Sequence, residues 1–177
     1  MIILHKNVAG ASEGSLSTFT AKAKRAAGLR GSVSVLLTNN RELRVLNRQF
    51  RGKDKATDVL SFPSEVVGAH RFIGDVAISV EIAAQNAKRL GHSTAKEVKI
   101  LILHGLLHLA GYDHEADHGE MARIEERLRN RLGLPAGLIA RTEPSQVRRE
   151  IHSRNSPTQK KAAGTSARSP RAPRRAR

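Results

Sequence analysis

Residues 94–114 read TAKEVKILILHGLLHLAGYDH. From Ile100 to Ala110 this segment is apolar on nearly every side of a helix, so it is expected to run through the centre of the fold. Ser93 or Thr94 stands where the N-cap belongs, and Glu97, three residues beyond Thr94, completes a capping-box pattern. Gly111 falls where the helix should stop, because glycine takes the left-handed turn at little cost. A helix built only to fill a core has no use for His104 and His108, or for His114 just past the turn.

Residues four apart on a helix share a face, one turn above the other. His104 and His108 can therefore offer two imidazoles to one metal ion, and a reversal at Gly111 lets His114 return to them. Three neutral nitrogens with one free position make the ligand set of a catalytic zinc site rather than a structural one. Imidazole alone does not separate zinc from nickel, cobalt or copper. The bland alternative is three helix histidines satisfied by their neighbours, but each ring buried in so apolar a segment would need its own partner. Asp113 can orient a ligand or simply turn the chain, and Tyr112 is expected to pack. His5, His70, His92, His118 and His152 show no such spacing and are expected at the surface or at caps.

The pattern His-x-x-x-His-x-x-Gly-x-x-His also matches the ligand spacing of metzincin metalloproteases. Those enzymes place a Glu directly after the first His as general base. That position is Gly105 here. A peptidase would have its ligands and lack its base.

Outward from this helix, the hydrophobic pattern changes period. MIILH, GSVSVLLTN, DVLSFP and HRFIGDVAIS have the β-branched, alternating or short buried character of strands. SLSTFTAKAKRAAGL has helical spacing, with Ser15 or Ser17 as cap and Gly28 as stop. In NRELRVLNRQF, capped by Asn39 or Asn40, Leu43, Leu46 and Phe50 recur at core spacing. Helices are also expected over Glu81 to Leu90 and over DHGEMARIEERLRNRLG, which ends at Gly133 and Pro135. The order implies an α+β fold, a mixed sheet of about four strands with helices around it.

The chain has 177 residues, no cysteine and a net charge of +15. Disulfides and thiolate metal sites are thereby excluded. No stretch approaches the roughly 20 apolar residues that cross a bilayer, and MIILHKNVAG lacks the features of a signal peptide, so no membrane partner and a cytoplasmic location are expected. Residues 141–177 carry eleven Lys and Arg against Glu143 and Glu150, leaving a net of only +6 on residues 1–140. The split implies a folded domain over 1–140 and a basic, disordered tail over 141–177 suited to polyanions such as RNA.

A second polar cluster, LNRQFRGKDKATDVLSFP at 46–63, sets Arg48, Arg51, Lys53, Asp54, Lys55, Thr57 and Asp58 ahead of a buried strand. In IGDVAIS, Asp75 breaks another apolar strand. These two segments, HGLLHLAGYDH and then Met121 in the last helix, in that order over about residues 30–133, resemble the YbeY family of bacterial ribosomal RNA maturation factors. The resemblance implies an α+β fold and a metal-dependent, single-strand-specific endoribonuclease. Such an enzyme acts in ribosome quality control and in maturing the 3′ end of 16S ribosomal RNA. It implies one Zn2+ on His104, His108 and His114, and an essential arginine at Arg51. Its expected partners are single-stranded ribosomal RNA and the small ribosomal subunit or its proteins, with no role for DNA. Where the family carries proline in KDKPTDVLSFP, this chain has Ala56, which loosens the loop and removes no chemical group. The tail lies outside the resemblance.

Arg51, permanently charged and able to grip phosphate through two donors, would position RNA and stabilise developing negative charge. With few aromatic residues for bases to stack on, recognition should rest on backbone charge and shape. Asp113, Asp58 and Asp75 are the candidate acid or base groups, and attack by water or by the ribose 2′-hydroxyl stays open. Two rivals remain: a non-catalytic RNA-binding assembly factor with a structural metal, and a metallopeptidase.

Overall fold

The computed structural model describes residues 1–64, 72–113 and 117–135, all within the unit Met1–Gly137. Along the chain run β1 (Ile2–Leu4), α1 (Glu13–Ala26), β2 (Ser32–Thr38), α2 (Asn40–Arg51), β3 (Val59–Pro63) and β4 (Phe72–Ser79). Three helices follow, α3 (Val80–Leu90), α4 (Thr94–Leu109) and α5 (Glu120–Arg131). The four strands form one sheet in the order β1-β2-β4-β3, parallel except for β3, which pairs antiparallel at the edge. This is the mixed α+β architecture that the alternation of periods implies. His70, His152 and residues 141–177 lie outside the described residues.

Strand alternation divides the core in two. Val33, Val35, Leu37, Val76 and Ile78 point to one face, where they join Leu16 and Phe19 of α1 and most of α4. Leu36, Leu60, Phe62 and Ala77 point to the other, where Leu43 and Leu46 of α2 cover them. Helix α4 is central, as its all-round apolarity requires: Ile100, Leu101, Ile102, Leu103, Leu106 and Leu107 are all buried. Helices α3 and α5 flank it, with Ala83, Met121 and Leu128 in the same cluster. No helix among the described residues is long and apolar enough to cross a membrane.

Two glycines hold backbone positions that a side chain would strain, one at a close approach and one at a turn. At Gly74, φ is +150° and an added Cβ would stand 2.3 Å from the Phe62 carbonyl oxygen and 3.0 Å from Leu109 Cδ2. Gly111 has φ +92° and turns the chain after α4 as anticipated.

Several local expectations are corrected. The cap of α1 is Ser12, whose hydroxyl accepts from the Ser15 N–H at 3.2 Å, so the helix starts one turn before Ser15 or Ser17. The cap of α4 is Ser93, with Lys96 at the third position, so Glu97 is no capping-box residue. Glu97 instead points inward, fully buried, 2.8 Å from Nε2 of His92. The His92 ring is therefore almost covered rather than at the surface. Phe50 is 59% exposed, because α2 outruns the sheet beneath it. There Phe50 meets the edge strand, its ring 5.0 Å from that of Phe62.

Candidate metal and phosphate site

His104 and His108 sit one turn apart on the last two turns of α4, both partly buried. Their rings are nearly perpendicular, 77° between planes, and bring the two Nε2 atoms to 3.2 Å. Two nitrogens bound tetrahedrally to one zinc at about 2.05 Å would lie roughly 3.3 Å apart. The pair thus has the spacing of two ligands sharing one ion. The other nitrogen of His104, Nδ1, donates to Glu125 Oε2 at 3.0 Å. A carboxylate on Nδ1 keeps the proton there and leaves Nε2 its lone pair, the usual support for a metal-binding imidazole.

Glu125 itself is held from both sides. Its Oε1 accepts from the Arg129 guanidinium, and both side chains are nearly buried. Burial pushes the Glu125 carboxyl up, but the His104 hydrogen bond and charge and the adjacent Arg129 outweigh it, leaving the pKa at about 2. His104, Glu125 and Arg129 form one row across α4 and α5. Sequence reasoning missed Glu125. The signal was there: Met121, Ile124 and Leu128 mark the inward stripe of α5, and Glu125 lies within it, a carboxylate on a core-facing side.

His114 lies outside the described residues, and within them no group of three His, Asp or Glu is arranged to hold a metal ion. Arg51 is the exposed last residue of α2, before Gly52 in the left-handed conformation. It reaches the sheet from the face opposite α4, but at the same end. Phe50 meets Phe62, Leu109 lies against Gly74, and Phe62 and Pro63 pair with Asp75 and Gly74. The C-termini of α2 and α4 therefore converge where β3 ends and β4 begins.

The three carboxylate candidates separate on this frame. Asp58 precedes β3, five residues or roughly 16 Å along the strand from Pro63, so it belongs to the far end. Asp75 is exposed at the convergent end, and Asp113 is exposed just beyond Gly111. Gly105 is explained by packing. An added Cβ would lie 2.6 Å from Val76 Cγ1 and 3.1 Å from Ser61 Oγ, and that hydroxyl bonds the Gly105 carbonyl at 3.2 Å. The position after the first histidine faces the sheet, where a general base would have neither room nor substrate. His5 and His118 are exposed, as anticipated.

Comparison with known proteins gives this geometry a context. The family model described as Endoribonuclease YbeY matches residues 4–133. This chain belongs to the YbeY family. A YbeY relative from Koribacter versatilis, named Endoribonuclease YbeY, is 60% identical over 142 residues, covering 80% of this chain and 91% of its own length. Another YbeY protein, from Nautilia profundicola, is 50% identical over 111 residues, 63% of this chain and 79% of the relative. The solution structure of TM1509 from Thermotoga maritima is similar, with a TM-score of 0.52 and 30% identity over 75% of this chain and 89% of that one. The YbeY match runs from the last residue of β1 through the rest of the sheet, α4 and α5, and stops before the basic segment.

Proposed function

We propose that this chain is a metal-dependent endoribonuclease that cuts single-stranded RNA. In this reading His104, His108 and His114 hold one zinc ion, and Arg51 binds the phosphate. The observation that carries it is the 3.2 Å approach of the two Nε2 atoms with Glu125 on the opposite nitrogen of His104. The name Endoribonuclease shared by the family model and the relatives supports RNA as the substrate class.

A divalent cation bound there supplies Lewis acidity, which acidifies water and stabilises charge on a phosphoryl oxygen. The protein's own part is positional. Glu125 fixes the proton of His104 on Nδ1 and aims Nε2 at the shared point. Arg51, exposed at the end of α2, presents two parallel donors to a phosphate and offsets the negative charge that grows as the phosphodiester bond is attacked. Asp113 is the carboxylate best placed along the chain to take or give a proton, and Asp58 is set aside by its distance. End-group chemistry decides the nucleophile, since a cyclic 2′,3′ product requires the ribose hydroxyl. In the cell the substrate is ribosomal RNA of the small subunit, including its 3′ end, handled in the cytoplasm during late maturation and quality control.

The test is cleavage of single-stranded RNA by wild type, His108→Ala and Arg51→Ala. Both variants should lose roughly 10²–10³-fold in rate, Arg51→Ala with fold and metal content intact. Wild-type cleavage by Arg51→Ala would remove the phosphate role. A protein that binds metal and RNA yet cuts nothing would be an assembly factor, and casein turnover above RNA turnover would make it a peptidase.

A further inference from the structure

The exposed side of α2 carries an arrangement of which the site uses only Arg51. Arg41, Arg44, Arg48 and Arg51 recur at steps of three, four and three, which places them on one ridge of the helix. All four are exposed. The contacts fix the direction of the ridge. Arg44 forms a two-pronged ion pair with Asp54 at 2.8 and 2.7 Å, so it faces the loop leading to β3. Glu42, the only carboxylate of α2, is turned the other way, against Thr38 and His5. Among the described residues Arg41 and Arg51 have no hydrogen bond or ion pair, and Asp54 is the one acid that serves this ridge. From Arg41 to Arg51 the ridge spans about 15 Å and leads to the end of the sheet where the C-termini of α2 and α4 converge. At that end stands Phe50, on the sheet-facing stripe of α2 with Leu43 and Leu46, around the helix from the ridge, its ring 59% exposed.

Resting on the reading of this chain as a ribonuclease, we propose that the arginine ridge of α2 is a track for the sugar-phosphate backbone of single-stranded RNA, with Phe50 stacking a base as the strand enters the site. Charge explains the class of partner. A row of exposed cations, only Arg44 of them ion-paired among the described residues, with one aromatic at its end is the combination that single strands use, phosphates on the cations and a base on the ring. Phe50 would then be one of the few aromatic platforms that the sequence offers to a base.

The experiment uses the full chain, so that the basic tail contributes equally to every variant. Arg41→Gln/Arg48→Gln leaves both the Arg44–Asp54 pair and Arg51 untouched, and Phe50→Leu keeps apolarity while removing the flat ring. Binding of a 12-nucleotide single-stranded RNA is measured across salt concentrations, and cleavage of that RNA is compared with cleavage of a trinucleotide too short to reach the ridge. In the arginine variant the slope of log affinity against log salt should fall by about 1.4, two contacts at roughly 0.7 each. KM for the 12-mer should rise roughly tenfold with kcat retained, and trinucleotide cleavage should be unchanged. Phe50→Leu should weaken 12-mer binding about tenfold with an unchanged melting temperature. Wild-type affinity in either variant overturns the track, as does loss of ribosomal-subunit binding without loss of RNA affinity, which would assign the ridge to a protein. A wild type that neither binds nor cuts single-stranded RNA is a different failure, that of the ribonuclease reading itself.

Discussion

Glu125 Oε2 accepts a 3.0 Å hydrogen bond from Nδ1 of His104, joining α5 to α4 across 21 residues of sequence. This contact decides which nitrogen of His104 carries the proton and which faces His108. Glu125→Gln should keep the bond's length but weaken its hold on the proton, lowering zinc affinity by about 10- to 100-fold. Competition with a chromophoric chelator measures this directly. Unchanged affinity would make Glu125 only a partner for Arg129.

The same carboxylate gives a pH signature. Its folded pKa of about 2 lies below the ordinary value of 4.5. An acid depressed by folding contributes stability that is complete above the unfolded pKa and is lost as pH falls toward the folded one. In metal-free protein, the denaturant-measured stability gap between wild type and Glu125→Gln should therefore narrow by about 2 kcal/mol between pH 5 and pH 3. A gap that widens on acidification would reverse the sign of the interaction.

Gly105→Ala tests the packing reason for glycine beside the first histidine. Alanine favours a helix by about 1 kcal/mol, but its methyl would stand 2.6 Å from Val76 Cγ1, on a stiff β-branched side chain. Overpacking of this kind costs roughly 1–3 kcal/mol, so urea unfolding should show a net loss of stability. A net gain would mean that α4 lifts off the sheet freely.

Removing residues 141–177 deletes eleven basic side chains and two acidic ones. RNA affinity should fall and its salt dependence flatten, while the rate at saturating substrate stays the same. Loss of cleavage at saturation would place part of the active site in the tail.

Much of this was legible in sequence because it follows from periodicity. An apolar segment with no polar side has to be central, and glycine after it has to end it, so α4 and the His104–His108 pair could be read directly. What escaped depends on which way a single side chain turns. Glu97 fits a capping pattern, yet Ser93 caps, and Glu97 sinks into the core against His92. Phe50 keeps the spacing of Leu43 and Leu46, but periodicity does not say where the sheet below stops. Ser12 was hidden because Gly14 follows it within the first turn, where helical spacing is weakest. Glu125 needed its partner on another helix to be recognised.

The most direct test of the central claim is anomalous diffraction at the zinc edge on crystals of the full chain grown with zinc. One peak is expected, about 2.0–2.1 Å from Nε2 of both His104 and His108, with His114 as the third protein ligand and Nδ1 of His104 still on Glu125. Rings that point apart, with no peak after soaking in excess zinc, would contradict it.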